Sequence, residues 1–515
     1  MRIDKLWINS FKNLRDLTID IDQSQMTSVF IGKNGAGKSN VIEALIIIFR
    51  DLDLDVRTTD FSYDIKYQCS GFNIHVTNSV EEKKREFYIN KQKTSSTKFY
   101  QMREYYLPSH VFAYYSGSSN RLENLFSQHQ KKFYTALLFG EEEAMRPLFY
   151  ARLIHSNFVL LAFFSFFEEQ NMAFMKEYFE IEAIDSILFV LHKANWVKEK
   201  KNQSYHKGEF WGARGVVREF LNDLYQYSLA PIKETAVFDE DFKKVNKEVT
   251  YLYIKDQNQL IAFAQKYGNN TEFFKHLEST YLSDLIEEIR IKVRKTDGTV
   301  ITFSELSEGE QQLLTVMGLL KFTKSEESLI LLDEPDTHLN PSWKYNYLQL
   351  IKDVAGQTES SQVLVSTHDP IVIGGLRKEA VTIFDREDGK TVAKTPENDP
   401  KGMGVAGLLT SDLFGLPTTL DIETQKNLDR KRQLQFKKEK TESEAKELAK
   451  LEKELQNLGF SRTTRDPLYD KFIEKVYSRP EFQSKEITEE ERKQMLDLTN
   501  EILAEIEKEE ENDIH

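Results

Sequence analysis

The chain has 515 residues, 40% hydrophobic and 30% charged, a balance that excludes global disorder and fits about two to four folded units. Lysine and arginine total 69 against 83 aspartates and glutamates, a formal charge of -14, so the whole-chain field gives no ground for generic attraction to a polyanion and any nucleic-acid site has to be a local patch. A single cysteine, Cys69, excludes a disulfide framework and a CxxC zinc hook, and it points to a reducing, cytoplasmic setting.

The start, Met1-Arg2-Ile3-Asp4-Lys5, leads into no apolar stretch of a signal peptide. Ile3, Leu6 and Ile8, then Leu17, Ile19 and Ile21, flank a polar turn and predict two short strands. Ser28-Val29-Phe30-Ile31 predicts a buried strand ending at glycine, and Ser39 to Arg50 carries Val41, Ile42, Leu45, Ile46 and Phe49 at helical spacing. Asp51, Asp53 and Asp55 follow that helix with leucines between them and read as a surface loop rather than a metal cluster. Strand-like pieces return from Ser62 to Asn90, and His110 to Tyr115 predicts a strand that breaks at Ser116 to Asn120.

Between about 121 and 285, dense aromatics beside acids, among them Phe163, Phe164, Trp196, Phe210 and Trp211, predict a compact helical subdomain. The most apolar run, Phe158 to Phe167, is ten residues, about half of the roughly 20 needed to span a bilayer, so no membrane association is expected. Ile289, Ile291 and Val293 alternate with Arg290, Lys292 and Arg294 before the turn Thr296-Asp297-Gly298-Thr299, which predicts a hairpin with one basic face. That face suits either a nucleic-acid phosphate or pairing with nearby Glu287 and Glu288.

Past residue 420 the composition turns to charged helix. Leu448, Leu451, Leu455 and Leu458 form a short apolar seam, stopped by Gly459, that suits either a partner or the protein's own head. Asp466 with Pro467, and Thr488 with Glu491, predict two more helix starts, and Glu505 to Asp513 reads as a solvated end. The expected domains are therefore 1–120, 121–285, 286–419 and 420–515.

Gly32-Lys33-Asn34-Gly35-Ala36-Gly37-Lys38-Ser39 satisfies GxxxxGKS between a buried strand and a helix. In such a loop the backbone N–H groups curl around phosphates at a helix N-terminus, Lys38 reaches the β and γ phosphates, and the Ser39 hydroxyl ligates Mg²⁺. Gly32, Asn34, Gly35, Ala36, Gly37 and Asn40 complete the expected ATP-binding set. Leu329 to Leu332 followed by Asp333-Glu334 is a buried strand ending in two carboxylates, Asp333 for Mg²⁺ and Glu334 to polarise the attacking water. It lies after Leu306-Ser307-Glu308-Gly309-Glu310 and before Val363-Leu364-Val365-Ser366-Thr367-His368.

That ordered set resembles the ABC-type ATPase head: an α/β P-loop NTPase fold of the RecF and SMC kind, here with a helical insertion and a C-terminal helical extension. The resemblance implies that Ser307 and Gly309 bind the γ-phosphate held by an opposite subunit in a head-to-tail dimer. It further implies that His368 contacts the γ-phosphate and that Asp336, in Pro335 to Leu339, belongs to a loop crossing the dimer. The motif reads LSEGE where transporters have LSGGQ, which leaves Glu308 without a role, and His338 has none either. The glutamine that this class places after the strand ending at Tyr115 is absent; only Ser116 to Asn120 stands there. Phe11-Lys12-Asn13-Leu14 resembles the entry of RecF and SMC heads, where Lys12 would approach the nucleotide; a plain solvent-facing turn is the alternative.

Gly37 to Ser307 spans 270 residues, more than a transporter ATPase needs and less than an SMC arm. Longer strings narrow the likeness: Pro108 to Gly117, Phe210 to Gly215, Gly404 to Leu416, Leu458-Gly459-Phe460 and Arg465 to Leu468 resemble the PtuA family, ATPases of Septu anti-phage systems and of related retron-associated pairs. This implies a regulatory ATPase using ATP and Mg²⁺, a homo-oligomer, and an HNH nuclease partner through which nucleic acid would be reached. The chain itself shows neither an HNH pattern nor a DxD pair after His368, so it is not expected to be the nuclease. The alternatives are a RecF- or SMC-like repair ATPase that clamps DNA ends or gaps, and a scaffold that holds ATP structurally.

Overall fold

Aliphatic runs buried on both faces build the central sheet. The computed structural model describes residues 1–57, 59–139, 148–194, 210–240, 243–322, 327–355, 360–437 and 440–458. Trp196, Gly459, Phe460, the string 465–468, the helix starts at Asp466 and Thr488 and the acidic end from Glu505 lie outside those residues. Strands β1 (Thr27–Gly32), β2 (His110–Tyr115), β3 (Ser328–Asp333), β4 (Gln362–Ser366) and β5 (Val381–Glu387) run parallel in the spatial order β5-β1-β4-β3-β2. Leu148–Tyr150 adds a parallel strand outside β2, and Lys390–Lys394 an antiparallel one outside β5.

Side chains alternate across such a sheet, and here the alternation separates two cores. Val29, Ile31, Phe112, Tyr114, Ile330, Leu332, Val363 and Val365 face one. Phe30, Val111, Ala113, Leu329, Leu331 and Leu364 face the other. The second core is closed by helix α1 (Lys38–Asp53), which buries Val41, Ile42, Leu45, Ile46 and Phe49, and by a six-stranded antiparallel sheet built from residues 2–94. The first core continues into the insertion through α2 (Ile154–Ser165), α3 (Asn270–Leu282) and α4 (Glu308–Phe322), so insertion and head share one apolar interior.

The expectation of helices alone between 121 and 285 needs correction. Ile181–His192, Leu229–Glu240 and Lys243–Ile254 are long strands that join Ile286–Lys295 and Val300–Thr302 in a five-stranded antiparallel sheet. Buried aromatics of the neighbouring helices, such as Phe158, Phe220 and Phe274, supply strong helical periodicity in this region. They mask the two-residue alternation of Val245, Lys247, Val249, Tyr251 and Tyr253. On the basic hairpin face, Arg290 pairs with Glu288 at 2.8 Å and Arg294 with Asp185 at 3.2 Å, which neutralises two of its three cations.

A second compact unit begins at Leu416, after a first that ends at Gly415. Within it, α5 (Ile422–Phe436) and α6 (Glu442–Asn457) are joined by a bidentate ion pair in which Arg430 Nε and Nη2 donate to the two Glu447 oxygens, each at 2.8 Å. Leu434, Leu451 and Leu455 are buried, Leu448 is half-buried and Leu458 is exposed.

Candidate ATP site

The parallel strands end together, and the loops beyond their carboxyl ends converge on one crevice. Gly37 caps α1 at φ 111°, where a Cβ would stand 2.7 Å from Leu14 Cδ2, so only glycine fits. The helix has no side-chain cap and no acid in its first turn, which leaves its N-terminal N–H groups and positive dipole end to an anion. Asn34 and Gly35 are exposed at the loop tip and Ala36 is buried beneath it. Lys38 is buried and donates through Nζ to Gly32 O at 2.7 Å. Burial pushes its ammonium below the ordinary lysine range, with the charges of Glu334 and Asp333 opposing.

Three contacts pin this loop from outside. Asn13 Nδ2 donates to Gly35 O at 2.9 Å, Arg386 Nη2 donates to the same oxygen at 3.1 Å, and Asn40 Nδ2 donates to Asn13 Oδ1. Lys12, at φ 50°, instead pairs with the buried Glu43 carboxylate on α1. The entry turn therefore reaches the phosphate loop through Asn13, and Lys12 is tied to the helix behind it.

Register brings the other wall together, since Asp333 lies opposite Ser366 on one side and Tyr115 on the other. Asp333 is fully buried; Oδ1 accepts from Ser39 Oγ at 3.0 Å and from Ser366 Oγ. Oδ2 accepts no hydrogen bond and faces Arg121 Nη2 at 3.8 Å. Burial raises this carboxyl above the ordinary aspartate range, against the hydrogen bonds from Ser366 and Ser39 and the charge of Arg121. Glu334 follows at φ 52°, its N–H donating to Ser366 O at 2.9 Å and its Oε1 lying 3.3 Å from His368 Nδ1.

Asp336 lies in the loop after β3. It is buried, and its Oδ2 accepts from Thr367 Oγ1 at 2.9 Å, tying the loop after β3 to the loop after β4 inside its own chain. The exposed residues of that loop are Thr337 and His338. Ser307 caps α4 by a reciprocal pair: its N–H and Oγ donate to Glu310 Oε2 at 2.7 and 2.8 Å, and Glu310 N–H returns to Ser307 Oγ at 3.3 Å. A Cβ on Gly309 would stand 2.4 Å from His338 O, so glycine lets α4 lie directly on the loop after β3. Glu308 and His338 meet at 3.5 Å.

The residues fit Mg²⁺ with a nucleotide. A buried carboxylate oxygen without a hydrogen bond, beside a serine hydroxyl and a helix N-terminus, is the hard oxygen set that Mg²⁺ takes together with phosphates and water. Among the described residues no group of three or more His, Cys, Asp or Glu is arranged to hold a metal, so such a cation would depend on Ser39, Asp333 and the phosphates. Asn13, Glu43, Arg121, Ser366, Thr367 and Arg386 are site neighbours that motif reading passed over. Ser366 and Thr367 stood inside a motif already singled out, whereas Arg121 and Arg386 are brought in by folding alone.

The family model described as an AAA ATPase domain matches residues 1–373. The chain belongs to that family. It is an ATPase built on an α/β head with a mainly parallel central sheet. Among similar proteins, the Retron Vc95 probable ATPase of Vibrio cholerae serotype O1 biovar El Tor is 21% identical over 451 residues, covering 79% of this chain and 78% of that protein. Septu protein PtuA of Bacillus mycoides (strain KBAB4) is 28% identical over 167 residues, 30% of this chain and 23% of that protein, so this chain spans about a quarter of it. The SMC head domain from Thermotoga maritima is 13% identical, covering 77% of this chain and all of that one, at a TM-score of 0.32, too low to add to the argument. Among the described residues no helix is long and apolar enough to cross a membrane.

Proposed function

We propose that this ATPase is the regulatory subunit of an anti-phage defence complex, in which its nucleotide state controls a partner HNH nuclease. The alignment with the retron ATPase, running over 79% of this chain and 78% of that one, is the observation that carries this reading. The shorter match to the Septu protein supports the same setting.

The division of labour follows from the site. The N–H groups at the start of α1 and Lys38 would hold the phosphates, and Ser39 and Asp333 would hold Mg²⁺, which neutralises phosphate charge during transfer. Glu334 would take the proton of the attacking water, with His368 3.3 Å away orienting its carboxylate. Exposed Ser307 before α4, with Gly309 buried behind it against the loop after β3, would close the site of a second subunit arranged head to tail. Hydrolysis would then require assembly, and assembly would give the nuclease a surface that changes with nucleotide.

Purification of the tagged chain from its native host, with ATP and Mg²⁺ present, tests this reading. An HNH protein should copurify and its cutting should change with Glu334→Gln in this chain. Copurification of replication or repair proteins alone, with DNA-end binding, would replace the defence reading by the repair one.

A further inference from the structure

Arg121 follows the segment Ser116 to Asn120 beyond β2, and its surroundings are unusual for a structural arginine. Its Nε stands 2.9 Å from Glu43 Oε1 and its Nη2 stands 3.8 Å from Asp333 Oδ2. Neither nitrogen makes a hydrogen bond of good geometry, and neither of the two facing carboxylate oxygens accepts one. The guanidinium also lies over the Tyr115 ring, 5.3 Å from its centroid. An arginine that served only as counter-ion to Asp333 would form the short, parallel bonds that its planar fork favours. Here Asp333 takes its hydrogen bonds from Ser39 and Ser366, and the arginine charge waits beside it with open donors.

A cation bound at Asp333 Oδ2 would repel this guanidinium and leave it needing an anionic acceptor. A phosphate oxygen is the acceptor that matches both its charge and its fork. Glu43 is 2% exposed and also pairs with Lys12, so it gives Arg121 a fixed pivot on α1.

We propose that Arg121 contacts the terminal phosphate of bound ATP and makes this head distinguish ATP from ADP. The proposal rests on the ATP site described above. Leu122, fully buried in the core that α1 closes, and Glu123, which accepts from Arg152 Nη2 at 2.6 Å, anchor the adjoining chain, so Arg121 approaches from a fixed base.

The test is equilibrium binding of ADP and of a non-hydrolysable ATP analogue, with Mg²⁺, to the full chain and to Arg121→Gln and Arg121→Lys. Wild-type binding of both nucleotides is the control on the site itself, and its absence would overturn the ATP site together with this proposal. In Arg121→Gln, analogue affinity should fall about tenfold or more, the effect of losing charge-assisted hydrogen bonds, while ADP affinity stays within about twofold. Arg121→Lys should recover part of the difference. Equal loss for both nucleotides would show a structural role, and unchanged affinities would show none; either result overturns the proposal. Should Arg121→Gln fail to fold, Glu43→Gln releases the pivot and should lower analogue affinity more than ADP affinity, with equal effects again counting against it.

Discussion

Glu334 carries a left-handed backbone, φ 52°, which costs a non-glycine residue about 1–3 kcal/mol and persists because its N–H is fixed on Ser366 O. The twist turns the carboxylate toward His368 while Asp333, one residue earlier, stays buried in the sheet. Ground-state binding depends on the loop and Lys38, so Glu334→Gln should keep ATP affinity within about threefold and lower turnover by about 10²- to 10⁴-fold. Lys38→Ala should instead weaken binding itself. Similar affinity losses in the two variants, measured by nucleotide titration, would remove the distinction. A different residue reports on acid stability: burial, with the charge of Lys275, pushes the His110 imidazole down to about 4 from an ordinary 6.5. A base with a depressed folded value contributes stability that is complete above the unfolded value and is lost as the pH falls toward the folded one. His110→Phe should therefore lower the drop in thermal midpoint between pH 7 and pH 5; a drop as large as the wild type's would assign the acid sensitivity elsewhere.

Helix α4 and the loop after β3 depend on each other through Gly309. Gly309→Ala pushes a methyl against His338 O, and a loss of about 1–3 kcal/mol in stability with clearly slower hydrolysis is expected. Unchanged unfolding and turnover would mean that the contact yields freely. In the second unit, the leucine seam divides into two kinds of residue. Leu455 is buried, and Leu455→Ser should destabilise that hairpin by about 2–5 kcal/mol, read as loss of helical signal on heating. Leu458 is exposed, so Leu458→Ser should leave stability within about 0.5 kcal/mol and report only on docking. Reduced capture of the proposed nuclease partner by Leu458→Ser would support a docking surface, and unchanged capture would leave the seam as internal packing. The strands of the head were legible because parallel strands buried on both faces read as unbroken apolar runs, as in Leu329 to Leu332. The three strands that the insertion adds to the predicted hairpin were not, because their alternation competes with buried aromatics on neighbouring helices. Lys12 shows the same limit in the site: a motif marks the turn, but tertiary contacts decide that Asn13 touches the loop.

At the scale of the whole molecule, one chain brings the glycine loop after β1 and the Asp333-Glu334 pair after β3 together across the end of the intervening strand β4, with Ser39 Oγ donating to Asp333 Oδ1. The partner-free protein should not degrade DNA or RNA with Mg²⁺; cutting that disappears on mutation of this chain would overturn the regulatory role proposed for it. The central claim, that two subunits complete each ATP site, is tested most directly by mixing two inactive variants. Ser307→Arg blocks the start of α4 and leaves its own phosphate loop intact, whereas Lys38→Ala disables the loop and leaves Ser307 usable. A mixed dimer holds one composite site with both working residues, so ATPase activity should return on mixing, to about a quarter of wild type at equal ratio if exchange is random and each site acts alone. Background activity at every ratio, while labelled chains are seen to exchange, would contradict the shared site.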